Sequence, residues 1–296
     1  MTMCFFCLAA CVVTVSAHGR TLQECNDEYS TDQFTQAVDA ALMELQAEKG
    51  WFHQLRADTG FTVAMSIASC TPDEDKWQYP PASKAVGVLA RVLRDQKIRV
   101  AGVQWSVPGV ADYKTHPLNP TGFWPEYMHA IADKIGAHYA LNITVERVYY
   151  ANSALVGDAV ESSEVVDMSE PYYYLAGFHN SKPRIEALAH SCITAGTASH
   201  FYTLKTSGIT SVDDLYDALV ADESAIVGFI AKGNYDSVSA LLPPSVAVIY
   251  LTNDTHIASK VRQGGVIAGY KSEGTPPDSD DFNVFETGVV SPRVAL

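Results

Sequence analysis

The segment Lys232-Gly233-Asn234-Tyr235 has the clearest chemical spacing in the chain. An apolar run from Ala225 leads into it and an amphipathic run follows, so a buried strand should turn there into a helix starting near Tyr235. Such a junction aims free backbone N–H groups at one spot, and the helix dipole favours an anion there. An ordinary strand-to-helix turn would carry the same residues. Enzyme signatures are absent from the sequence: it has no GxSxG, HExxH, Walker loop or dinucleotide fingerprint. The nine histidines are scattered singly. Beyond the apolar N-terminal run, Cys25, Cys70 and Cys192 lack zinc-ligand spacing, so neither a metal nor a cofactor is expected.

A strand–helix–strand unit has to position any such site. Phe123, Tyr127, Met128, Ile131, Ala132 and Ile135 recur at helical spacing within Thr121–Gly136. Pro125 and Glu126 suit the first turn, and Gly136 can close the helix in the left-handed conformation. The runs Ile98–Val103 and Asn142–Tyr150 read as the flanking strands. The helix N-terminus, Trp105 and the long excursion between them then gather at the carboxyl ends of the strands, where open α/β sheets bind ligands.

Residues 1–17 form a short apolar run ending in Val15-Ser16-Ala17, which reads as a secretory signal peptide and is too short for a membrane span. Cys4, Cys7 and Cys11 leave with it, and Cys25–Cys70 is the expected pair among the three that remain. Residues 18–82 read as an N-terminal extension, helical from Thr31 to Leu55, with a Pro-rich linker over Thr71–Ser83. A formal charge of −14, with no basic run, argues against nucleic acid as a partner. Ser211, with Asp214 three residues on, reads as a helix cap.

Four stretches in order, Ile98–Val103, Thr121–Gly136, Asp167–Tyr174 (DMSEPYYY) and Gly208–Leu215, resemble the family 3 extracellular solute-binding proteins. The resemblance covers roughly residues 85 to 296. It implies an α/β, two-lobed periplasmic-binding-protein-like fold of type 2, here carrying an N-terminal mainly helical extension. Residues 83–177 would form lobe 1, and residues 178–296 lobe 2 and a return strand. The family continues past this point with a packing helix. The final strand, Val289–Leu296, is therefore expected to be cut short, with a partly uncovered apolar surface.

By the same resemblance the protein is a secreted, non-catalytic binder of a small polar solute of the amino acid or organic anion class. A membrane transporter or receptor is the implied partner, and a monomer the expected state. Trp105 matches the aromatic that packs on ligands. Glu170, Tyr172 and Tyr173 lie on the lobe-crossing segment and are candidate ligand contacts. Gly233, Asn234 and Tyr235 match lobe 2 ligand contacts, and Glu273 lies near an acidic position for a ligand ammonium. The segment bearing the family's carboxylate-clamping arginine has no counterpart here, which leaves Arg184 and Arg293 as candidates for an anion clamp. The fold also hosts cyclohexadienyl dehydratase-type enzymes, in which case Glu170 or Glu273 would serve as the cleft acid, and a scaffold that kept the fold and lost ligand binding is the third reading.

Overall fold

The computed structural model describes residues 29–61, 64–66, 78–174, 178–180, 182–272 and 279–296. Residues 1–17, read above as a signal peptide, Cys25, Cys70, most of the linker and Glu273 lie outside them. Among the described residues, no helix is long and apolar enough to cross a membrane.

Lobe 1 is built on a parallel sheet in the order β5-β2-β6, made of Thr144–Tyr150, Lys97–Val103 and Met168–Ser169. Alternate residues of β2 face opposite layers, as strand geometry requires. Ile98 and Val100 join one apolar cluster, while Ala101 joins another on the opposite face with Val156 and Val160 of α5 (Ser153–Ser162). The first cluster contains α4 (Phe123–Tyr139), α3 (Gly87–Asp95) and, packed across them, α1 (Asp32–Ala47) and α2 (Trp51–Thr59). Phe34, Val38, Leu42 and Leu45 of α1 share this core with Tyr127 and Ile131 of α4. Phe52 of α2 meets Phe123 edge-on at 5.6 Å. The N-terminal helices are therefore part of lobe 1 rather than an appendage. They form two helices, not one, because Gly50 breaks the run at φ 85°.

Gly136 does not stop α4, which runs on to Tyr139. The glycine is needed because a Cβ there would lie 2.7 Å from the Leu141 carbonyl, where the chain folds back toward β5.

A seven-stranded sheet joins the lobes, in the order β12 (Ala247–Tyr250), β11 (Ile226–Phe229), β13 (Ala268–Lys271), β10 (Ala195–Leu204), β14 (Phe282–Val294) and β7 (Tyr173–Tyr174), with the two-residue β1 (Ala64–Met65) beside β10. The long antiparallel strands β10 and β14 run through both lobes. They pair with each other along both halves, and in the far half β10 also pairs with β13, which adjoins β11, itself paired to β12, in lobe 2. Their near halves lie against lobe 1, where β14 ends on β7. The register shifts between Ala198 and His200. There the Ser199 hydroxyl bridges Thr287 Oγ1 at 2.7 Å and donates to the Val289 carbonyl at 3.1 Å. Short hairpins β3–β4 (Ser106–Val107, Ala111–Asp112) and β8–β9 (Phe178–His179, Lys182–Pro183) complete the strands, with α6 (Arg184–Ala187) after the latter.

Lobe 2 is also three-layered. Phe201 of β10 faces α7 (Val212–Ala221) and α8 (Lys232–Val238), whereas the adjacent Tyr202 faces α9 (Asp254–Arg262). Ser211 caps α7 as expected, accepting from the Asp214 N–H at 3.1 Å.

The end of the chain departs from expectation. Val294, Ala295 and Leu296 are all buried, because α1 and α5 cover the strand end that was expected to lie open. Ser169 and Ser191 hydroxyls accept from the Leu296 and Ala295 N–H groups, which fixes that end in place.

Asp39 of α1 accepts from the Cys192 N–H at 2.7 Å. Cys192 is itself disulfide-bonded, and every other cysteine of the chain lies outside the described residues. Burial pushes the Asp39 carboxyl up to about 6, while the Cys192 N–H and the nearby His190 pull it down. The charged form is thus the disfavoured one in the fold. The contribution of Asp39 is full below pH ~4 and is lost as pH rises through about 6. Asp39→Asn keeps the oxygen acceptor and removes the charge. It should flatten that slope and stabilise the protein at pH ~7 by about 1–2 kcal/mol, discounted for the partial exposure of the group. Thermal melts at a series of pH values check this, and an unchanged slope would reject it.

Candidate functional site

The carboxyl ends of β2 and β5 carry a polar cluster under an aromatic cover. Arg147 and Tyr149 are two residues apart on β5 and so share a face. Arg147 Nε donates to Glu170 Oε1 at 2.6 Å, and both side chains are removed from solvent, at 2% and 0% exposure. The guanidinium also lies 3.4 Å from the Pro125 carbonyl at the start of α4, 3.5 Å from His129 Nε2, and over the Tyr113 ring at 5.9 Å. Glu170 is held by its backbone N–H on the Ala101 carbonyl at 3.0 Å. Gly102 beside it leaves room, since a Cβ there would lie 3.3 Å from Glu170 Cγ and 3.7 Å from the Tyr172 hydroxyl.

Trp105, Tyr113 and Tyr172 close over this pair. The β3–β4 hairpin folds Tyr113 back onto Trp105, the Tyr113 N–H donating to the Trp105 carbonyl at 3.0 Å. Their rings meet edge-on at 5.5 Å, and Trp105 meets Tyr172 edge-on at 5.4 Å. The Tyr172 hydroxyl accepts from the Val103 N–H at 3.3 Å, and Tyr149 donates to the Pro117 carbonyl at 2.7 Å. Trp105, Tyr149 and Tyr172 are each half-buried, so the cover has an accessible outer side.

Burial raises the Glu170 carboxyl above its ordinary range, and the Arg147 guanidinium and the nearby Tyr113 hydroxyl oppose it. The Tyr113 hydroxyl and the Glu170 carboxyl affect each other's titration, and Tyr113 Oη and Glu170 Oε2 are both buried with no other hydrogen-bond partner. A carboxyl in this setting can hold a proton or receive a donor.

The structure thus brings together Trp105, Glu170 and Tyr172. Tyr173 stacks on Tyr172 at 4.8 Å but turns to the other apolar cluster, under Arg184 at 5.6 Å. Gly233, Asn234 and Tyr235 are not part of this assembly. Lys232–Val238 is already helical, so the anticipated turn is the first turn of α8, and Tyr235 packs on Phe229 in the lobe 2 core at 5.5 Å. Arg293 is built into the strand junction instead of a cleft. Its Nε and Nη2 donate to Thr197 Oγ1 at 3.0 and 2.9 Å, and Nη1 donates to the Tyr172 carbonyl at 2.9 Å. A guanidinium 2% exposed with those bonds orders the Tyr172 segment, which is a positioning role. Within DMSEPYYY, Asp167 is structural as well. It accepts from Arg91 on α3 and from the Arg99 N–H.

Arg147, Tyr113 and Tyr149 were not anticipated. A signal existed for Arg147, because a lone guanidinium in the run Val145–Tyr150 must find a counter-charge if that face is covered. Nothing local marks Tyr113.

No protein-family model matches the chain, and no curated protein matches it in sequence. Solved structures do resemble it. PfVFT1 of Plasmodium falciparum superposes with a TM-score of 0.65 at 18% identity, covering 90% of this chain and 96% of that one. A Streptococcus pneumoniae ABC uptake transporter substrate binding protein, solved with bound histidine, gives 0.50 at 15% identity over 70% of this chain and 81% of its own. The ancestral cationic amino acid solute binding protein AncCDT-1 gives 0.50 at 13% identity over 70% and 83%.

Proposed function

We propose, from the two-lobed type 2 periplasmic-binding fold that these likenesses establish, that the chain is a secreted solute-binding protein. It takes a small polar ligand, of the amino acid or organic anion class, between its lobes without transforming it. The observation that carries this reading is the pairing of two separately cored lobes on one strand ribbon, with a half-buried aromatic surface at the carboxyl ends of the lobe 1 strands. Trp105 and Tyr172 supply the lobe 1 contact, and Gly233, Asn234 and Tyr235 approach from α8 when the lobes close. A membrane transporter or receptor that senses closure fits this role.

Isothermal titration of the folded chain against amino acids, amines and organic anions tests the reading, and a well-folded sample that binds none of them rejects it. Once a ligand is in hand, Trp105→Ala should weaken it about 10- to 100-fold, the loss of one buried aromatic contact of roughly 1.5–3 kcal/mol. A change below about threefold, or about 0.6 kcal/mol, would remove Trp105 from the site.

One observation favours a second, enzymatic reading. Glu170 is a buried carboxyl with a raised pKa and an unpartnered oxygen, the condition of a general acid. Cyclohexadienyl dehydratase-type turnover that Glu170→Gln abolishes, in a variant that keeps ligand affinity, would establish it over simple binding.

A further inference from the structure

Outside the inter-lobe region, α5 and the β8–β9 hairpin bring three ligand-type side chains to one spot. Asp158 and Glu161 are three residues apart on α5 and share its surface. His179 enters from β8, and one ligand atom from each of the three lies within 4.8 Å of the others. The imidazole is buried, at 4% exposure, whereas the two carboxylates are open to solvent. His179 Nε2 lies 3.1 Å from Glu161 Oε2 and 3.7 Å from Asp158 Oδ1. Asn180 Nδ2 stands 3.1 Å from the same Nε2 and 3.4 Å from Glu161 Oε2.

Three groups compete for the one ring nitrogen. A proton on Nε2 serves Glu161 but meets the Asn180 amide donor head-on. A bare Nε2 accepts from Asn180 but faces two carboxylates. Turning the Asn180 amide, which exchanges its nitrogen and oxygen, brings one more acceptor to the same point. A cation at that focus resolves the conflict, since the imidazole lone pair, both carboxylates and the amide oxygen can all ligate it. It would also offset a carboxylate, Glu161, placed in the last turn of α5 where the helix dipole is negative.

The ring is held for this purpose by an absence of side chain. A Cβ at Gly157 would lie 2.4 Å from His179 Nδ1 and 2.7 Å from Cε1, so the imidazole rests on the helix backbone with Nε2 directed between the two acids. We propose that Asp158, Glu161 and His179 form a site for a divalent transition-metal ion of the zinc class, with Asn180 or water completing the shell. One imidazole with carboxylates suits zinc better than calcium, which takes six or more oxygens. The ion ties to α5 the hairpin that follows the Tyr172–Tyr174 segment and leads through α6 into β10.

Equilibrium dialysis of the disulfide-intact chain against Zn²⁺, with Ca²⁺ in parallel and thermal melts alongside, tests the site. The parent should bind one zinc and melt higher with it. His179→Ala, and separately the surface pair Asp158→Asn with Glu161→Gln, should each weaken zinc by at least about 100-fold and lose the thermal shift. Gly157→Ala keeps every ligand yet should weaken zinc by about 10-fold, by lifting the ring from the helix. No zinc uptake by the parent, equal uptake by the ligand variants, or binding of calcium in place of zinc would each overturn the proposal.

Discussion

Arg147→Ala should cost about 3–5 kcal/mol of folding stability, because it strands the Glu170 carboxylate in a site with no solvent access. The loss should depend on pH. Without the guanidinium, Glu170 titrates higher still, and a raised carboxyl gives its stability below its unfolded pKa and loses it as pH rises through the folded value. The variant should therefore lie closer to the parent at pH ~5 than at pH ~8, since the unfolded-state carboxyl titrates near 4.3. Replacing both partners, Arg147→Met with Glu170→Leu, should recover most of the loss, since an apolar pair of similar volume leaves no buried charge. Denaturant unfolding of the two variants at both pH values decides the matter. A loss below about 1 kcal/mol in Arg147→Ala would show that water reaches Glu170 and that the pair is not sealed.

A chain shortened to begin at Ser83 should fail to fold cooperatively. It removes Phe34, Val38, Leu42 and Leu45, each fully or nearly fully buried against α4, along with the Trp51 and Phe52 contacts to Tyr127 and Phe123. A single Leu42→Ala in this core is expected to cost about 2–5 kcal/mol, a large fraction of the about 5–15 kcal/mol that holds a typical domain together. The shortened chain should bind a hydrophobic dye and show no sharp thermal transition. Full-length Cys192→Ser serves as the control that separates loss of the disulfide from loss of the helices. A shortened chain that melts at the parent's midpoint would show that the helices are dispensable to lobe 1.

Elements with a local cause were legible in the sequence. The apolar spacing of Phe123, Tyr127, Ile131 and Ile135 gave α4, and the Ser211–Asp214 pair gave the start of α7, because periodicity and capping act within one turn. The place of Trp105 and Tyr172 followed from resemblance, and the structure sets their rings together. What escaped depended on partners far away in the chain. Arg293 was a candidate anion clamp by position, yet its bonds reach Thr197 and Tyr172 across a strand pairing that no local pattern announces. Gly136 looked like a helix stop, but its lack of a side chain answers to the returning chain at Leu141. The role of α1 was hidden for the same reason, since an amphipathic stripe says that something covers it and not what.

The lapse in pairing at Ser199 has a mechanical consequence. A two-stranded ribbon is stiff against stretching, because load runs along two covalent backbones, and compliant in bending where its cross-links are interrupted. At Ser199 and Thr287 side-chain hydroxyls stand in for the regular ladder, so this is where the ribbon would bend most easily. Displacement then scales with distance from the pivot, as on a lever. If the lobes close as proposed, the strands nearest Ser199 would travel least and the outer surfaces of both lobes most.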